Sequence, residues 1–353
     1  MENLVMYSFW KNKRVLITGH TGFKGSWLSL WLHQLGAEVY GFSLEPELDD
    51  ALFYQLGLEN KVYHQIGNLC EYNSILKYVS QNKFDFVFHL AAQSLVLRSY
   101  KNTLDTWNTN VMGTVNLLEA LRNYKTNCIV IVITTDKVYH NNEWEHGYVE
   151  SDQLGGLDPY SASKAGVELA VQSYKSLYEQ NSNLITIASA RAGNVIGGGD
   201  WCENRLVPDI IRSLMVNEII QIRNPKSIRP WQHVLEPLSG YMQLAKKLSD
   251  NKNLASAYNF GPNMNDNCTV EDVVRASLKI WPGEYFESFD DEAPHEAGLL
   301  KLSIDKAQED LNWEPKWDFF ETINKTVGWY KKVFEGASPL SVTLEDIKSF
   351  EIS

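Results

Sequence analysis

Tyr160 and Lys164 stand four residues apart in DPYSASK (158–164), so on a helix they share one face about one turn apart. An ammonium beside a phenol favours the phenolate and draws it below its ordinary pKa of about 10. Such a tyrosine can take the proton of a hydroxyl while hydride leaves the same carbon. A second group, Thr134-Thr135-Asp136-Lys137, presents hydroxyls, a carboxyl and an amine in consecutive positions. Asp136 suits protonation of a departing hydroxyl, and Lys137, when neutral, removal of a carbon-bound proton. A third, Gly19, Gly22 and Gly25, directly follows the apolar run RVLIT (14–18) and opens a helical pattern. Glycines there allow a tight turn and close approach of backbone to a pyrophosphate, which the helix N-terminus meets with unpaired N–H groups.

These groups need a scaffold. Apolar runs at 14–18, 38–42, 61–66, 84–90, 128–134 and 184–190 read as strands, and the patterns at 24–35, 74–81, 104–123 and 160–179 as helices. Continuous apolar strands alternating with helices predict a parallel sheet covered on both faces, a doubly wound, Rossmann-like α/β fold. Thr134–Lys137 then fall at a strand's carboxyl end, where such sheets bind ligands. Residues 1–192 are expected to form the dinucleotide-binding domain, including the Tyr-Lys helix. Residues 193–335, broken by Gly, Asn and Pro and carrying helices at 206–216 and 235–249, are expected to bind substrate. Residues 336–353 read as a loosely held tail.

Ser43 ends the second strand where an acid commonly holds the adenosine ribose, Glu45 comes slightly late, and no arginine awaits a 2′-phosphate. NAD is expected over NADP. Asn68 is placed either to bond adenine or to make a turn. Arg191, Asn194, Arg205, Arg223, Arg229 and His233 offer donors and cations for a diphosphate. Trp201 and Trp231 suit packing on a base or sugar, or filling core. The net charge of −12 over 353 residues argues against a nucleic-acid partner. Cys70, Cys128, Cys202 and Cys268 lie far apart, so free thiols are expected. No His/Asp/Glu cluster has metal spacing; His20 and His89 read as loop or core residues, and no metal is expected. No leader pattern or run of about 18 apolar residues stands out, which predicts a cytoplasmic protein without a membrane partner.

The stretches VLITGHTGFKGSWLSLWL (15–32), FHLAAQSLV (88–96), NTNVMGTVNLLEA (108–120), TTDKVY (134–139), RAGNVIGGGDW (191–201) and RNPKSIRPWQHVLEPLSGY (223–241) resemble the extended short-chain dehydrogenase/reductase family. Within it the chain is similar to sugar-nucleotide 4,6-dehydratases. Most of these carry Asp-Glu after the threonine; Asp136-Lys137 resembles the branch that acts on a CDP-hexose. Asn68 stands where Asp is usual and Val138 where Cys is commoner. The resemblance implies dehydration of CDP-glucose to the 4-keto-6-deoxy sugar, with Thr135, Asp136, Lys137, Tyr160 and Lys164 as the catalytic set. It implies NAD held by Gly19, Thr21, Gly22, Phe23, Lys24, Gly25, Ser43, Asn68, Leu69, Leu90, Ala91, Ala92, Gln93, Asn110, Thr134, Tyr160 and Lys164. Substrate would meet Asn194, Trp201, Arg205, Leu206, Arg223, Arg229 and His233. A homodimer, or a tetramer, would form through the helices at 104–123 and 160–179. Another NDP-hexose 4,6-dehydratase or a sugar-nucleotide epimerase on the same fold is the alternative, and a non-catalytic NAD sensor the reading from another class.

Overall fold

A computed structural model describes residues 2–181, 184–288 and 299–353. Seven strands form one parallel sheet: β1 (Arg14–Thr18), β2 (Glu38–Ser43), β3 (Tyr63–Ile66), β4 (Phe86–His89), β5 (Cys128–Ile133), β6 (Ile185–Ala192) and β7 (Ala257–Phe260). Their order is β7-β6-β5-β4-β1-β2-β3, and every neighbouring pair is parallel. All residues of β5 and β6 are buried, which accounts for CIVIVI and ITIASARA lacking alternation. The chain winds outward from β1 to β3, then crosses to β4. The carboxyl ends of β1 and β4 therefore flank the crevice where such sheets take ligands.

Helix α1 (Glu2–Trp10), which the sequence pattern did not signal, buries Trp10 edge-on to Phe86, with ring centroids 4.8 Å apart. Helix α2 (Phe23–Gln34) follows the glycine turn. After α3 (Val96–Lys101), the single helix expected at 104–123 is instead built from α4 (Thr103–Trp107), a π-helical turn at Asn108–Met112, and α5 (Gly113–Leu121). Helix α6 (Pro159–Asn181) carries Tyr160 and Lys164 in its first turns.

Helices α7 (Leu206–Met215) and α8 (Leu235–Asp250) lie where the sequence placed them. The region after 193 also returns to the sheet through β7, whose four residues AYNF include Asn259 and give no apolar run. Helices α9 (Phe319–Phe334) and α10 (Pro339–Ile352) end the chain. The expectation of a loose tail at 336–353 is corrected here. Ser338 caps α10 by accepting the Ser341 N–H, and Pro339 occupies the first turn. Phe350 packs edge-on to Trp31 and Trp317, and the Trp31 indole donates to Glu351 at 2.8 Å. All four cysteines are free. Among the described residues, no helix is long and apolar enough to cross a membrane.

Candidate active site

Gly19 adopts φ +74°, and a Cβ there would lie 2.7 Å from the Ala91 backbone nitrogen. A Cβ on Gly25 would meet the Gly19 carbonyl oxygen at 2.1 Å. The turn is thus closed against the β4 loop on one side and helix α2 on the other, and only glycine fits. Gly22 caps α2 with backbone alone, so the first N–H groups of the helix stay available to an anion. This cradle fits a dinucleotide pyrophosphate. Thr21 and Ser43 share a hydrogen bond of 2.7 Å at the end of β2, and Thr21 also donates to the Leu44 carbonyl. Asn68 makes the turn: its Oδ1 accepts the Cys70 N–H at 2.9 Å.

Several residues expected to touch cofactor are occupied in holding others. Asn110 projects from the π turn, accepts the Gln93 N–H at 2.8 Å, and donates to the Gln93 carbonyl and the Ser163 hydroxyl. It ties the loop carrying Leu90, Ala91 and Ala92 to helix α6. The Gln93 amide is bound to Leu95 and Thr106. Leu69 is buried in the core. Thr134 donates to Glu168 at 2.5 Å, and Glu168 also receives Ser189 and Arg191, each at 2.8 Å. These are positioning contacts.

A cleft of about 800 Å³ opens beside this turn. Lys24, Thr135, Lys137, Tyr160, Asn194 and Arg205 line it, together with Thr134, Leu206, Arg229 and Trp231. Thr135 caps a 3-10 turn, Asp136–Val138, and donates to Asp136 Oδ1 at 2.8 Å. The same oxygen accepts Lys137 Nζ at 3.1 Å, and Lys137 also donates to Asn194 Oδ1 at 3.3 Å. Asn194 holds a left-handed backbone at φ +43°. Asp136 is fully buried, and its Oδ2 is without a hydrogen-bond partner among the described residues. Among the expected catalytic residues that bear on elimination, Lys137 lines the cleft and Asp136 does not: its Oδ2 faces Gly193 from behind, and a buried carboxylate oxygen left unpaired is costly.

The expected effect of Lys164 on Tyr160 is corrected by the geometry. Burial pushes the phenol up to about 12, while Thr135 and Arg205 pull it down less strongly. Lys164 Nζ donates to the Ile133 carbonyl at 3.1 Å, and burial lowers its amine to about 8. Lys24 reaches in from the first turn of α2 and donates to the Tyr241 hydroxyl at 3.0 Å.

In the substrate half, Arg205 bonds Asp200 at 2.9 Å and Ser94 at 3.1 Å, which sets its guanidinium at the cleft wall. Arg229 lines the same cleft. Four expected contacts lie elsewhere. His233 is buried between Trp27 and Trp317, with ring centroids 5.7 Å and 4.8 Å away, and burial lowers its imidazole to about 3. It is a neutral core residue. Arg223 is exposed outside the cleft. Trp201 packs edge-on to Tyr330 behind the cleft wall. Arg191 is buried against Glu168 and Tyr139. Sequence reasoning missed Arg98, which bridges Glu47 at 2.5 Å and Glu203 at 3.2 Å across the cleft mouth. It also missed Asp200 as the partner of Arg205; the acid five residues before the arginine in GGGDWCENR was the available signal.

The profile of the family described as GDP-mannose 4,6 dehydratase matches residues 16–326. A CDP-glucose 4,6-dehydratase of Salmonella typhimurium is 43% identical over 349 residues, which cover 97% of each chain. Among solved structures, an epimerase from Methanothermobacter thermautotrophicus superposes with a TM-score of 0.80 at 22% identity, covering 95% of this chain and 97% of that one. A dTDP-glucose 4,6-dehydratase from Bacillus anthracis in complex with NAD gives 0.76 at 20% identity, covering 93% and 99%. These two likenesses bear on the fold.

Proposed function

Because the chain belongs to the GDP-mannose 4,6 dehydratase family, among the extended short-chain dehydrogenase/reductases, we propose that it dehydrates CDP-glucose to CDP-4-keto-6-deoxyglucose with NAD as its cofactor. The observation that carries this reading is Lys137 beside Thr135 and Tyr160 in one cleft, with Asp136 buried behind Lys137 and bonded to it, in a chain 43% identical to an enzyme of that name. An epimerase needs no acid and base after the threonine.

NAD, held at the glycine turn of Gly19, Gly22 and Gly25, would supply a hydride acceptor for C4 and a hydride donor for C6. Tyr160 takes the C4 hydroxyl proton; the Thr135 hydrogen bond, and then Arg205, offset part of the burial that raises its phenol. The C4 ketone then acidifies C5. Lys137 removes the C5 proton and Asp136 gives one to the departing C6 hydroxyl, which leaves as water. One proton passed across the 3.1 Å Lys137–Asp136 contact produces both a neutral amine and a neutral carboxyl. The base and the acid are thus made in a single transfer. Asn194 holds the amine, and Thr135 holds the carboxyl.

Arg205 and Arg229 receive the substrate diphosphate, where fixed guanidinium forks suit phosphate oxygens. Leu104, Trp107, Met112 and Leu169 are exposed on the α4–α6 face, a surface suited to a second copy of this chain. The free cysteines and the dinucleotide cofactor agree with a cytoplasmic setting. Residues 1–192 and 193–335 divide the cofactor and substrate roles, with β7 lent back to the sheet.

Asp136→Asn and Lys137→Met test the elimination. Each should oxidise C4 and then stall, accumulating near-ultraviolet absorbance of reduced dinucleotide, with little solvent deuterium entering C5 in the Lys137 variant. Full conversion to the 6-deoxy product by both variants would return the pair to a structural role.

A further inference from the structure

Lys24 lies between Gly22 and Gly25, at the cradle expected for the pyrophosphate, yet its side chain lines the cleft that holds Tyr160 and Thr135. A dinucleotide anchored at the glycine turn and reacting at Tyr160 must run between those same two points. The Lys24 side chain follows that path. Its Nζ donates to the hydroxyl of Tyr241, on α8, at 3.0 Å and sits 5.3 Å from the ring centroid. Lys164 of α6 and Arg205, just before α7, also face it, against the single carboxyl of Asp136; Tyr160 adds only a neutral phenol. The reaction end of the cleft is therefore rich in positive charge.

An oxidised nicotinamide ring is a cation and the reduced ring is neutral. The reduced dinucleotide is therefore the more negative of the two, and a fixed cation in the cleft favours it. We propose that Lys24 is a tuning residue that biases the dinucleotide bound by this site towards its reduced form. The bias holds the hydride on the cofactor while the C5 proton and C6 hydroxyl leave. The inference rests on the NAD reading above and goes beyond it, because it assigns a charge-setting role to a residue of the glycine turn.

The pH dependence follows from the surroundings. Burial pushes the Lys24 amine down to about 7, with Lys164 and Arg205 acting in the same direction and Asp136 opposing. Its charge is complete below that pH and lost above it, so preference for the reduced form should weaken as pH rises. Lys164, lowered to about 8, adds a second and later loss.

Equilibrium titration of the purified protein with NAD and with NADH, from pH 6 to 9, tests this without turnover. In the unmodified chain the ratio of affinities, reduced over oxidised, should fall about five- to tenfold across the range. Lys24→Met should give a low ratio, keeping only the later loss that belongs to Lys164. Lys24→Arg should keep a high ratio through pH 7 to 8, because its charge does not titrate there. Ratios and profiles in both variants equal to those of the unmodified chain overturn the proposal alone. Failure of the unmodified chain to bind either dinucleotide overturns the cofactor reading and this inference together.

Discussion

Gly193→Ala should separate oxidation from elimination. An added Cβ at Gly193 would lie 2.0 Å from Asp136 Oδ2 and 2.2 Å from its Cγ, against 3.4 Å for ordinary contact. The carboxyl must then retreat by about 1.4 Å, the difference between those distances. That shift breaks its bonds to Thr135 Oγ1, at 2.8 Å, and to Lys137 Nζ, at 3.1 Å. A misplacement of about 1 Å in a reacting group costs roughly a hundredfold in rate. The overpacking itself should cost about 1–3 kcal/mol of stability, which a chain of this size tolerates. Tyr160 and Lys164 are anchored on α6 and keep their places. The assay is rapid mixing with CDP-glucose, following reduced-dinucleotide absorbance beside product release. Absorbance should rise at the unmodified rate and then persist, while water loss slows about a hundredfold. A folded Gly193→Ala protein that releases 6-deoxy product at the unmodified rate would refute the role given to Asp136.

Tyr160→Phe should lower turnover by at least about a hundredfold, the scale for a lost general base, with the thermal midpoint little changed; unchanged turnover removes Tyr160 from the mechanism. Glu236 is buried and accepts the N–H groups of Lys316 and Trp317, and burial raises its carboxyl from 4.5 to about 7. The folded state therefore holds this proton more tightly than the unfolded chain, so the stability it gives is present below pH 4.5 and lost by about pH 7, amounting to roughly 3 kcal/mol. Relative to Glu236→Gln, the thermal midpoint of the unmodified chain should fall between pH 5 and 8; parallel profiles would contradict this. NADP should bind more weakly than NAD, because β2 ends in Ser43 bonded to Thr21 with no cation after it; tighter NADP binding in a parallel titration would count against that reading.

The glycine turn, the Tyr-Lys pair and the Asp-Lys pair were legible in the sequence because local spacing alone puts each of them at a strand end or on a helix face. His233 was not. RPWQH reads as a polar loop, and only the tertiary fold shows that its imidazole fills a slot between Trp27 and Trp317. Arg191 reads as a cation for a diphosphate, and its actual pairing with Glu168, contributed by a different element, has no local signal. The effect of Lys164 on Tyr160 was misjudged because spacing conveys proximity but not desolvation, which dominates here. Strand β7 is four residues long and contains Asn259, whose amide bonds Tyr148 and Ser303 backbone carbonyls across the fold, so no apolar run announces it. Helix α10 did carry a signal in Ser338-Pro339, a cap followed by a first-turn proline.

Elimination of water from a CDP-hexose leaves a product whose mass reports it. The purified protein with NAD is incubated with CDP-glucose and, in parallel, with the UDP, GDP and dTDP analogues. CDP-glucose should be converted, ahead of the others, to a product lighter by one water and carrying a C4 ketone. A product of unchanged mass, epimerised at C4, would contradict it.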